Sequence, residues 1–224
     1  MRRTALSGVV MLALLIPAVP ASAKLARHST PPNCSTVHSQ LVAADTQAQV
    51  FKALNSFPLP AIYGCVYGSR HTYELGEVRR CGGAAAGGIC GGITNVVLDG
   101  SIVAYEGLGS EPAEPERKSA RPLVIVRDLR TGQILRRLPS DVLGPSRVGS
   151  VMAIVVKSNG AVAWIVEDRE STPSHPAEYE VHAVDGNGSR VLAASSEIDP
   201  SSLALVGSTL YWMQAGHPAS APLN

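Results

Sequence analysis

Residues able to do acid–base or ionic chemistry concentrate in two polar segments. The first, 107–121, holds Glu111, Glu114 and Glu116 beside Arg117 and Lys118; the second, 168–177, holds Asp168, Arg169, Glu170 and His175. Carboxylates near a histidine can trade protons in a hydrolysis or an elimination. The same mixed-sign loops can instead hold a polar partner, or simply stay solvated. Glu111, Glu114, Glu116, Asp168, Arg169 and His175 are therefore candidate binding-face residues. None is assigned a catalytic, metal-binding or cofactor-binding role, and no cofactor is expected.

Other patterns fall short of the chemistry they resemble. Asp185, Asn187 and Ser189 alternate like the opening ligands of a calcium loop. Arg190 stands where that loop needs glycine and Ser196 where it needs the bidentate acid, so a hairpin turn explains the run. Gly144-Pro145-Ser146-Arg147-Val148 has half of a nucleophile elbow but ends in valine. Gly82 to Gly87 has phosphate-loop glycines without the lysine and hydroxyl that must follow. The six histidines are scattered; His175 and His182 are a weak pair for a metal, and His182 reads as a strand residue at a wet rim. Trp164 and Trp212 sit at matched positions of successive strand units, which points to packing.

The four cysteines fit an exported protein. Cys81 and Cys90 bracket a glycine-rich loop that a disulfide could staple, and Cys34 then pairs with Cys65 by default. Four cysteines allow three connectivities, and spacing does not choose among them. Zinc is disfavoured, because no Cys-x-x-Cys and no short-spaced histidine is present.

Export is also expected from the start of the chain. Arg2 and Arg3 precede an apolar stretch over 9–19 and a small-residue site, Ala21-Ser22-Ala23, with cleavage expected after Ala23. That stretch is short of the about 18 residues of a membrane helix and carries Pro17. Without residues 1–23 the chain keeps 17 basic and 18 acidic residues, a net charge of −1. Such a balance argues against nucleic acid or an anionic membrane as partner, and no membrane span is expected. A protein, peptide or envelope polymer is the expected partner class.

Beyond the signal, no sustained 3.6-residue apolar period occurs. Short β-rich runs alternate with Gly, Asp, Asn and Pro, the all-β pattern. The runs recur in order. One unit reads as strands at 95–98, 101–105, 123–129 and 133–138, with turns at Asp99-Gly100 and Arg130-Thr131-Gly132. The next reads 151–156, 161–166, 178–184 and 190–193. A looser copy covers 40–76, and a last, partial one has strands at 203–206 and 209–213. The expected layout is a signal peptide over 1–23, a Pro/Ser-rich segment over 24–39, a domain over 40–213 and a tail over 214–224.

The run Leu123 to Leu138, with Asp128-Leu129-Arg130-Thr131-Gly132 between two apolar strands, resembles the outer hairpin of β-propeller blades of the quinoprotein and WD types. The Gly-His and Trp-Asp signatures of true WD repeats are missing. The resemblance implies a β-propeller-like array of four-stranded antiparallel blades, about 3.5–4 units. Fourteen strands leave the last unit short, so either the fourth blade is completed irregularly or the array stays open and an edge invites self-association. The resemblance implies no single activity. The first-strand ends, Asp45, Leu98-Asp99, Val156-Lys157 and Leu205-Val206, are thin in reactive groups. The leading expectation is a secreted, non-catalytic binding module. Alternatives are a secreted hydrolase or lyase on the same scaffold, and a divergent or fragmentary propeller that needs a partner to close.

Overall fold

A computed structural model describes residues 34, 39–54, 60–78, 80–81, 90–109, 121–140, 149–168 and 178–224. These residues form strands and turns without a helix. The first sheet is a meander of β1 (Gln40–Ala44), β2 (Ala48–Leu54), β3 (Pro60–Val66) and β4 (Tyr73–Glu77). A two-strand ribbon, β5 (Arg80–Cys81) and β6 (Cys90–Gly91), leads to the second meander. That sheet contains β7 (Thr94–Asp99), β8 (Ile102–Gly109), β9 (Arg121–Asp128) and β10 (Ile134–Pro139). The third has β11 (Gly149–Val156), β12 (Val162–Asp168), β13 (Tyr179–Asp185) and β14 (Gly188–Ser195). The fourth has β15 (Ala204–Val206), β16 (Thr209–Gln214) and β17 (His217–Pro222). Every pairing within these sheets is antiparallel.

The sheets stack as successive blades, and alternation along each strand explains why. On β8, Val103 and Tyr105 face the first sheet, packing with Ala48, Val50 and Ile62. Ile102 and Ala104 face the third, packing with Ile154 and Trp164. β12 does the same: Val162, Trp164 and Val166 turn to the second sheet, Ala163 and Ile165 to the fourth. Strands covered on both faces must be apolar at every position, hence the unbroken runs in the sequence. β10, an outer strand, alternates half-buried and exposed residues instead.

β1 lies beside β7 and β7 beside β11, so first strands line the inner side of the array. Among the described residues no strand of the fourth sheet pairs with the first, and no core cluster joins those two sheets. The first sheet's outward face is covered in part by Cys34, which packs with Phe51, Ala53 and Cys65. The fourth sheet's outward face presents Val206 and Tyr211 to solvent.

Residues 214–224, expected as a tail, carry a third strand for the fourth sheet. Pro218 and Pro222 hid it, since proline argues against a strand. Both are tolerated because of where their backbone points. Leu223 N donates to the Ser208 carbonyl on the inner side, while the Pro222 carbonyl points outward to Arg190 Nη2 at 3.1 Å. Residues 218, 220 and 222 share that outward direction, so the missing N–H groups would have had no strand partner. Leu223 is buried in the core between the third and fourth sheets, and Asn224 N donates to Asp185 Oδ2 at 2.8 Å.

Candidate functional site

Three first strands end together at one rim of the array, at the tight turns. Between them lies a cavity of about 510 Å³ lined by Val97, Leu98, Asp99, residues 154–158, Leu205 and Gly207. Its volume is in the range of small-ligand sites. The lining contains the strand ends picked out in the sequence, Leu98-Asp99, Val156-Lys157 and Leu205. Each charged group is there because its strand ends in a hairpin. Asp99 opens the Asp99-Gly100 turn, with Gly100 at φ +62, and Lys157 opens the turn that closes at Gly160.

Both charges are engaged across sheets. Asp99 Oδ2 accepts from Ser158 N at 2.6 Å, joining the second sheet to the third. Lys157 Nζ donates to Ser208 Oγ and to the Leu223 carbonyl, both at 2.8 Å, joining the third to the fourth. Asp45, the equivalent acid of the first sheet, caps its own turn, accepting from Gln47 N at 2.6 Å and Ala48 N at 2.8 Å. The groove thus offers an apolar wall with one acid and one ammonium at its mouth, each with a fixed orientation. That arrangement suits holding a chain with polar ends.

A second polar group is sealed inside. The Glu180 and His182 spacing puts both side chains on one face of β13. His182 Nε2 lies 2.7 Å from Glu180 Oε2, and its ring stacks on Trp164 at 5.1 Å between centroids. Trp164 Nε1 donates to the Ser140 carbonyl at 3.1 Å, and Ser140 Oγ donates to the Pro122 carbonyl at 2.9 Å. Burial pulls the His182 pKa down to about 4. His182, expected at a wet rim, is therefore a core residue, 1 % exposed. The alternation was visible in the sequence; the covering second sheet was not. Trp164 and Trp212 are both buried between sheets, as packing predicts.

The other sequence candidates divide as follows. Glu111, Glu114, Glu116, Arg169 and His175 lie outside the described residues, as do Ser146 and the run Gly82 to Gly87. Asp168 ends β12, opposite Gly149. Gly109 pairs with Arg121 in the second sheet. The roots of segments 110–120 and 169–177 are thus at the rim opposite the cavity. Asn95 and Glu106, both hydrogen-bonded to the Val151 backbone, tie the second and third sheets together toward that rim.

Asp185 is not free for calcium. Its carboxylate accepts from Arg190 Nη1 and Nη2, at 2.7 and 2.9 Å, and from the backbone N–H of Asn187. The Arg190 hydrogen bonds, foremost, hold this carboxyl well below the usual range. Among the described residues, no three His, Cys, Asp or Glu side chains gather as a metal set.

Cys34 and Cys65 are buried thiols in contact: Cys65 Sγ lies 3.6 Å from the Cys34 carbonyl, and Cys34 Sγ 3.1 Å from that of Val66. Burial, then the neighbouring Cys34 thiol, pushes the Cys65 thiol pKa up. Cys81 and Cys90 are register partners in the β5–β6 ribbon, and the residues between them lie outside the described set. No protein-family model, no curated protein and no solved structure matches this chain.

Proposed function

We propose that this chain is an exported, non-catalytic binding module of β-propeller type that holds a peptide, protein segment or envelope polymer in its inner groove. The observation that carries the reading is the engagement of Asp99 and Lys157 in hydrogen bonds between sheets. A general base or acid must be free to exchange its proton with substrate. Groups already spent on joining sheets are better suited to orienting a bound chain along the apolar wall of Val97, Ile154 and Leu205. Export is part of the proposal and rests on the signal-like start and the cysteines. The contact between Cys34 and Cys65 supports their pairing as a disulfide in an oxidising compartment.

The test uses residues 24–224 exported through an oxidising compartment. Backbone ¹⁵N shifts are followed while a hexapeptide pool, and separately soluble envelope polysaccharide, are added. Saturable shifts at Asp99, Lys157, Ser158 and Gly207, with the probe recovered intact, support the reading. A cleaved probe overturns the non-catalytic part, and no saturable shift in the groove overturns the site. Thiol titration of the same sample, unfolded, should find no free cysteine; four free thiols would remove the disulfide pairing.

A further inference from the structure

A pair of arginines lies in the cleft where the second sheet faces the first, away from the inner groove. Tyr105, Ile125 and Arg137 form one row across β8, β9 and β10, on the face that turns to the first sheet. Arg127, two residues along β9 from Ile125, shares that face and is the diagonal neighbour of Arg137. Across the cleft, Arg127 Nη1 donates to the Glu74 carbonyl at 2.8 Å, and the Tyr105 hydroxyl contacts the Leu75 carbonyl at 3.4 Å. Both arginines act on this hydroxyl: burial raises the Tyr105 pKa, and their two charges oppose the rise.

Among the described residues, neither arginine of this pair has a carboxylate partner. Arg127 Nε is buried and has no hydrogen-bond partner among the described residues. A buried N–H of a charged group without an acceptor carries its full desolvation penalty, whereas an exposed one is satisfied by water. The nearby acids point elsewhere. Glu74 pairs with Tyr63 and Glu77 with Ala61, on the opposite face of the first sheet. Asp128 is turned into its own loop, accepting from Arg130 N at 2.8 Å. Glu106 accepts from Thr94 Oγ1 at 2.6 Å and faces the third sheet. Among the described residues, the acceptor that reaches Arg127 from across the cleft is the Glu74 backbone carbonyl.

We propose that this cleft binds an oxyanion, its oxygens accepting from Arg127 Nε and from the Arg137 guanidinium. Arginine forks suit phosphate, sulfate and carboxylate alike, so the shared chemistry is the oxyanion. The site is independent of the inner groove. Its control is built into the fold: Arg136 is the strand neighbour of Arg137 but faces the third sheet, where Nε donates to the Gly160 carbonyl at 3.1 Å.

The test is a titration of residues 24–224 with inorganic phosphate, and separately with acetate, at constant ionic strength in chloride. The readout is the Nε–Hε resonance of Arg127. A saturable shift is expected, weakened at least tenfold by Arg137→Gln and unchanged by Arg136→Gln. Saturation by phosphate alone assigns phosphoryl- or sulfuryl-bearing ligands; saturation by acetate assigns carboxylate-bearing ones. A non-saturating response, as from water alone at Arg127, overturns the site. Equal weakening by the two substitutions overturns it as well, since it reduces the effect to net charge.

Discussion

At the scale of single residues, His182 shows how burial changes a side chain's role. Its ordinary pKa of 6.5 falls to about 4 in the fold because the second sheet covers it. Between these values the unfolded chain binds a proton that the folded chain does not. The resulting stability is present above about pH 6.5 and lost as pH falls toward 4. Urea unfolding at pH 7, 5.5 and 4 should therefore give a steeper loss for the parent than for His182→Gln. Equal slopes would mean that Glu180 lets the imidazole ionise in place. His182 was legible as a strand residue, but periodicity does not say which face of a strand another sheet will cover.

At the scale of elements, the turn Asp128-Leu129-Arg130-Thr131-Gly132 was the sharpest blade-like feature of the sequence. Its glycine has two reasons to be there, and only one was readable. Gly132 sits at φ +74, the left-handed region a tight turn needs. In addition, a Cβ at Gly132 would come within 2.2 Å of Tyr73 Cε1, so the turn of the second sheet is roofed by a tyrosine of the first. Gly188, at φ +97, has open space around its Cβ position. Gly188→Ala should cost about 1 kcal/mol, the backbone term alone. Gly132→Ala should cost at least twice that, read as the shift in urea midpoint. Tyr73→Ala in the Gly132→Ala background should recover part of the loss; no recovery would remove the steric part of this account.

Across the whole molecule, the question is how the outer strand of the last sheet avoids uncontrolled pairing. Self-association through an open blade edge, expected from the short last unit, remains a proposal. The free edge of β17 is poorly suited to it. Pro218 and Pro222 have no N–H, the Pro222 carbonyl is taken by Arg190, and Ser220 supplies the outward N–H. Prolines on an edge strand block the ladder a second chain would build. Replacing both by valine restores two donors. Light scattering should then show a concentration-dependent mass increase absent from the parent; unchanged mass would mean that the prolines are not what protects this edge.

The order of strands, the turns between them and the four repeated units follow from the chain alone. They depend on local periodicity and on turn residues, which act within a few positions. The same holds for the inner-strand ends, whose residues could be named before their surroundings were known. Tertiary structure decided the rest. Stacking of sheets far apart in sequence buried His182, tied Lys157 to the fourth sheet and left the Arg127 Nε–H without an acceptor among the described residues. Each of these depends on which sheet lies opposite, a long-range pairing that no local pattern encodes.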